Sequence, residues 1–284
     1  MPEVLTHGSK YGKITFVCIA KSRGNGISMI KINSRLKPYG LSLYKLILFG
    51  LCMSVCVVSL FLALFSAKYA TSKNVICVLS TMGLLIAPIL LGIMMKFSIN
   101  SVVFTGVMLY AMAAPLFGTM YNLYNLTNWW DDMLHFTGGV VFAILGVFLA
   151  KFLNKNNKNT LIMCAVFAFV FSMAISALWE IYEFSVDSLF GIDMQRDTII
   201  HTINSKDIGE TIGKVVTIDG IHSVTVNGEA LPIDGYLDIG LIDTMKDMIV
   251  EGLGALAYCV VFLIDRDKHP IITSVNREKK NKRK

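Results

Sequence analysis

Three short stretches of this chain carry acids, and in one case a histidine, at helical spacing within otherwise apolar sequence. The first is Trp129-Trp130-Asp131-Asp132-Met133-Leu134-His135, in which Asp131 and His135 stand four residues apart and share a helix face. The second, Trp179-Glu180-Ile181-Tyr182-Glu183, continues to Asp187, and its acids again fall on one face. The third, Asp243-Thr244-Met245-Lys246-Asp247, leads on to Glu251 at the same spacing. Grouped carboxylates cannot all ionise side by side without a counter-charge, so such a set either holds protons or gathers around a cation. Imidazole and carboxylates from facing helices are a donor set suited to one or two divalent metals. An ion held there could activate water or polarise a phosphoryl or acyl oxygen.

The elements that must position these groups are apolar helices. Of the 284 residues 54% are hydrophobic and 16% charged, where a soluble domain carries about 25% charged residues; the apolar surplus has to face lipid. Six stretches approach the ~20 residues that cross ~30 Å of hydrocarbon: Tyr44–Ser66, Asn74–Met95, Val102–Tyr121, Met133–Phe152, Thr160–Phe184 and Leu241–Ile264. The expected fold is an all-α bundle of six transmembrane helices, between a basic segment over 1–43 and a basic tail over 265–284. The net charge of +6 is loaded at these ends, which fits membrane topology and gives no case for nucleic-acid binding. Lys and Arg in both terminal segments, with Lys96, Lys151, Lys155 and Lys158, mark one side as cytoplasmic; Lys68 and Lys73 are a mild dissent. Both termini are therefore expected in the cytoplasm of a cell-membrane protein, with the basic tail resting on anionic lipid. The polar first forty residues lack the apolar core of a signal peptide, and Met29 offers an alternative start.

The connection 189–240 is acidic and falls on the outer side. Gly213–Ile218, Asp219-Gly220, Ile221–Val226, Asn227-Gly228 and Glu229–Ile233 read as a small three-strand meander, because Asp-Gly and Asn-Gly suit tight turns. Entering near Thr160 and rising about 1.5 Å per residue, the fifth helix brings Glu180 to the depth at which the fourth and sixth helices begin. All three motifs then meet in the outer leaflet. Asp131, His135, Glu183 and Asp247 are the candidate metal ligands, Glu180 and Asp243 the candidate catalytic acids, and Asp187 and Glu251 the groups supporting them. A plainer reading remains open. Asp131, Asp132 and Asp243 could cap helix starts, and Trp129, Trp130, Tyr121 and Tyr124 could form an interfacial belt. Capping does not account for Glu180, Glu183 and Asp187, which sit at a carboxyl end where the dipole disfavours negative charge. His201 has helical spacing from Asp193 and Asp197, which on a charged loop reads as a solvated face; His7, His222 and His269 have no evident partners. Gly138-Gly139 and Gly252-Leu253-Gly254-Ala255 suit close helix packing. The six cysteines form no CxxC pair and read as small hydrophobes.

Asp131-Asp132-Met133-Leu134-His135-Phe136, Leu178-Trp179-Glu180-Ile181-Tyr182-Glu183-Phe184 and Gly240-Leu241-Ile242-Asp243-Thr244-Met245-Lys246-Asp247 together resemble the uncharacterised bacterial YjdF-like membrane proteins. More distantly they are similar to the VanZ-like membrane proteins associated with glycopeptide resistance. Glu183 and Glu251 stand where that second group commonly has Gln and Asn. The resemblance runs from Trp129 to about Ile264 and implies a membrane address and a shared polar site, without a known reaction. The leading expectation is a membrane-embedded, enzyme-like site, with a divalent metal as its candidate cofactor, acting on a lipid or cell-envelope substrate. The alternatives are a proton- or cation-coupled transporter and a non-catalytic envelope or immunity protein.

Overall fold

The computed structural model describes residues 40–95, 97–153 and 160–274. Most of the basic amino-terminal segment, Cys18, His7, Lys96, Lys155, Lys158 and the end of the basic tail lie outside those residues. Six helices among them are long and apolar enough to cross a bilayer. α1 is Leu43–Phe65 and α2 is Ser72–Met95. A short strand, β1 (Phe97–Ile99), precedes α3 (Ser101–Met112). The third span then changes register, running through Ala113–Met120 as a π-helix, with Pro115 near its start. Proline has no N–H to give to the preceding turn, and a wider helical register at such a point absorbs the mismatch. The one-turn helix α4 (Leu123–Leu126) follows, then α5 (Trp130–Leu153), α6 (Leu161–Phe190) and α7 (Leu241–Asp265).

Local chemistry sets several of these ends. Ser42, Asn100 and Thr160 each accept, through a side-chain oxygen, a backbone N–H of the first turn they precede, the usual stabilisation of an N-terminus. α6 stops at Gly191, whose positive φ of 62° lets its N–H reach the Asp187 carbonyl. That helix is longer than the Thr160–Phe184 expected: at 30 residues it rises about 45 Å, beyond the ~30 Å hydrocarbon core. Its last turns, which include Asp187, exceed the length needed to cross that layer.

The spans form two packed groups. In the first, Cys52, Cys56, Val78, Leu85, Met108 and Leu116 bring together α1, α2 and the composite third span. In the second, Ala143, Val147, Cys164, Ala168, Ala255 and Cys259 join α5, α6 and α7. Each of the cysteines in these cores is a free, buried thiol. Side chains on the opposite faces, such as Leu51, Phe61, Val102, Ile162 and Ile249, point outward and stay exposed. So much exposed apolar surface marks a surface made for lipid. The Phe97 and Phe148 rings, 4.9 Å apart, link the two groups. So does β1, which pairs antiparallel with β8 (Ile272–Ser274) beyond the last helix.

Helices α5 and α7 cross backbone to backbone. A Cβ at Gly139 would collide with the Glu251 carbonyl oxygen, and one at Gly254 with the Phe136 carbonyl oxygen. At Gly146 a Cβ would come 2.7 Å from the Ala168 Cα of α6. Small residues here remove the side-chain layer that otherwise separates helices.

The insertion between α6 and α7 contains β2 (Thr198–Ile200), β3 (Ile203–Ser205), β4 (Val216–Ile218), β5 (Thr225–Val226), β6 (Glu229–Ala230) and β7 (Tyr236–Asp238). The expected hairpin at Asn227-Gly228 is present, with positive φ at both turn residues and β5 paired to β6. The three-strand meander is not. β4 pairs back onto β3 and β2 pairs with β7, so Asp219-Gly220 ends a strand without joining two neighbours.

The crossing makes a stability prediction. Gly139→Val must push α5 away from α7 and is expected to cost about 1–3 kcal/mol or more, as over-packing does. Gly83, with nothing within 4 Å of a built Cβ, provides the control. Thermal unfolding of the detergent-solubilised protein should show a lower Tm for Gly139→Val and an unchanged one for Gly83→Ala.

Candidate functional site

The close crossing of α5 and α7 sets the geometry at one end of the second helical group. His135 lies one turn before Gly139, and Asp247 and Glu251 lie on the facing side of α7. His135 Nε2 is 3.3 Å from Asp247 Oδ2 and 3.7 Å from Asp131 Oδ1, while Nδ1 is 3.7 Å from Glu251 Oε2. The ring is thus approached by carboxylates at both nitrogens. Asp131, His135 and Asp247 each offer a ligand atom within 4.8 Å of the others. From α6, Glu180 and Glu183 are buried on the side facing this group and come within electrostatic reach of the His135 ring.

Burial makes the arrangement demanding. Asp247 is 1% exposed, Glu251 4% and Glu180 5%. Asp247 Oδ1, Glu251 Oε1 and both Glu180 oxygens make no hydrogen bond within the protein. The Thr244 hydroxyl and Gln195 amide lie beside Glu180 as its nearest polar side chains, and the amide donates to the hydroxyl at 2.5 Å. Buried carboxylate oxygens left in this way need a proton or a cation. The donor set, one imidazole nitrogen and carboxylate oxygens, fits a divalent ion.

Two expected site residues take part in holding the insertion. Asp187 accepts hydrogen bonds from the Met194 and Gln195 backbone N–H groups, both at 2.8 Å. Asp243 accepts from the Arg196 backbone N–H at 3.0 Å. Asp132 pairs with Lys246 at 2.5 Å, bridging the starts of α5 and α7.

Arg196 and Tyr124 are the site residues that the sequence did not reveal. Arg196 reaches in from the insertion: its guanidinium is 3.9 Å from Asp131 Oδ2, donates to the Tyr124 carbonyl at 3.1 Å and lies over the Tyr124 ring. The ring in turn rests on Gly118 of the π-helix, where a Cβ would strike it. Burial, together with the nearby Asp131 and Glu183 carboxylates, pushes the Tyr124 phenol above its ordinary value, so it stays protonated as a donor. Tyr124 therefore faces the acids instead of belonging to an interfacial belt. A lone arginine in an acidic loop was the available hint. Trp129 remains exposed, as a belt residue would, whereas the Trp130 indole N–H is buried without a partner.

Beside the acids, a cavity of about 440 Å³ runs between the end of α6 and the start of α7. Glu180, Thr244 and Gln195 lie at its polar end and Ala177, Ile181, Phe184 and Leu241 along its apolar wall. Ile181, Phe184 and Leu241 are exposed on the outer surface of the bundle, so the groove opens to the side of the helices. Elsewhere, residues 191–197 are not helical and His201 is exposed, so its spacing from Asp193 and Asp197 gathers no ligand set. His269 pairs with Asp265 at 2.8 Å.

No curated protein and no solved structure significantly matches the chain. A family model described as Predicted membrane protein (DUF2238) does, over residues 49–268. With a match reaching from within the first span to just past the sixth, the chain belongs to the DUF2238 family of membrane proteins.

Proposed function

We propose that this end of the bundle is a membrane-embedded, metal-dependent enzyme site that acts on a lipid or lipid-linked envelope substrate. The observation that carries the reading is the convergence of Asp131, His135 and Asp247 within 4.8 Å, among buried carboxylate oxygens without partners. These three residues, with Glu183 from the adjacent helix, hold the ion. Glu251 backs the other nitrogen of His135, the place from which a carboxylate commonly orients a metal-bound imidazole. A divalent ion bound there supplies a Lewis acid and an activated water.

The remaining residues divide the work by position. Glu180 lies between the ligands and the groove and is placed to take up or deliver a proton. Tyr124 and Arg196 offer donors beside Asp131, where they would meet an anionic group of the substrate. Asp243 and Asp187 hold the stretch that carries Arg196 against the helices. The apolar wall at Ile181, Phe184 and Leu241 admits an acyl chain from the side and keeps water away. Glu183 and Glu251 add negative charge around the imidazole, which favours a bound cation. The Lys/Arg bias supports an outer-leaflet site with both termini in the cytoplasm. A coupled transporter would gather its polar groups near mid-membrane. Here Asp131 and His135 occupy the first two turns of α5 and Asp247 the second turn of α7, which supports the enzyme reading instead.

Metal analysis of the detergent-purified chain, with a non-histidine affinity tag, tests the ion. The wild type should retain about one divalent ion per chain at this site, and His135→Ala and Asp247→Asn should each lose it while keeping their helical content. Metal content equal to the wild type's in both variants would rule the site out. The groove makes a separate prediction: Ala177→Phe fills it and should abolish co-purification of lipid seen by mass spectrometry, leaving the metal content unchanged. Equal lipid in both proteins would remove the lateral-entry part of the reading.

A further inference from the structure

A second cluster of ligand-bearing side chains lies on the insertion, where no role has been assigned. His201, His222 and Asp234 are exposed, and each offers a ligand atom within 4.8 Å of the others. They come from three separate stretches, and the backbone brings them together. The antiparallel ladder of β2 and β7 pairs Ile200 with Tyr236, which sets His201 beside Gly235 and its neighbour Asp234. Gly235 has a φ of 141°, and a Cβ there would sit 2.5 Å from an Ile199 methyl and 3.4 Å from His201 Cε1. Only glycine allows so close a passage. The third stretch is tied down by Ile221, whose N–H donates to the His201 carbonyl at 3.0 Å, and by Thr202, whose hydroxyl donates to Asp219 at 2.5 Å.

The hydrogen bonds also decide which nitrogen each ring presents. His201 Nδ1 lies 2.8 Å from the Ile221 carbonyl oxygen. A carbonyl only accepts, so Nδ1 carries the proton and Nε2 keeps its lone pair. His222 Nδ1 lies 2.8 Å from Asp234 Oδ1, so this nitrogen and the carboxylate face one another, and an ion received between them would take the place of the Nδ1 proton. His201, held through one nitrogen by a backbone carbonyl, has the usual arrangement of a metal-binding histidine. The ring centroids are 5.3 Å apart.

We propose that His201, His222 and Asp234 form a surface site for a borderline divalent transition ion of the Zn²⁺ class. Two imidazoles and one carboxylate select such an ion over Mg²⁺ or Ca²⁺, which take oxygen ligands. Three protein ligands leave a fourth position for water or an added group. The site is separate from the buried cluster and does not rest on its assignment.

The test is made in the full-length His135→Ala protein, purified in detergent with a non-histidine tag, so that the buried cluster does not contribute. Titration with Zn²⁺ should show one equivalent bound, with Mg²⁺ and Ca²⁺ failing to compete. Adding His201→Ala and His222→Ala together should abolish that binding, and Asp234→Asn should weaken it about 10–100-fold. All three residues are exposed, so the variants should unfold at the temperature of their parent. Absence of Zn²⁺ binding by the His135→Ala parent, or undiminished binding by the double-histidine variant, overturns the proposal.

Discussion

The contact on which the site depends is the glycine-mediated crossing of α5 and α7. Gly139 lies against the Glu251 carbonyl and Gly254 against the Phe136 carbonyl, so two backbones touch where side chains would normally intervene. That separation lets the short side chain of Asp247 reach the imidazole of His135, and puts Glu251 behind it. One added carbon at either glycine would move the helices apart. The histidine and acids would then no longer offer their charges to one another in a region where water offers little compensation.

The insertion and the first three spans act on the same place from outside. The chain leaving α6 is caught at once by Asp187 through two backbone amides, and again by Asp243 through the amide of Arg196. Arg196 is thereby delivered to Asp131 and to the face of Tyr124. Tyr124 can lie there because the third span ends as a π-helix whose Gly118 leaves room for the ring. The register change near Pro115, far from the acids in sequence, therefore contributes to their surroundings. Such interruptions of regular helix are common beside functional sites.

Excess negative charge gives the site its character. Lys246 pairs with Asp132 and Arg196 lies near Asp131 at the rim. Deeper in, Asp247, Glu251, Glu180 and Glu183 face the single imidazole of His135. A purely structural network would be expected to satisfy its buried oxygens. Here several remain without partners, and they cluster next to the groove between α6 and α7. Stabilising the fold would require no such arrangement.

The sequence alone determined the six apolar helices, the common end of the bundle at which the three polar motifs meet, the small residues at the crossing and the Asn-Gly hairpin. Each follows from short-range physics: the hydropathy of about twenty consecutive residues, a periodicity of 3.6, or the φ that a turn demands. Tertiary structure decided what depends on distant partners. The extra length of α6 ends only where Gly191 closes the helix and the insertion captures Asp187. The strands of the insertion chose β3–β4 and β2–β7 over a local meander, since backbone hydrogen bonds reward whichever strand is brought near. Tyr124 and Arg196 joined the site, and His201 met His222 and Asp234, through pairings that no local pattern encodes. Burial and charge complementarity are properties of neighbours in space, and the chain lists only neighbours in order.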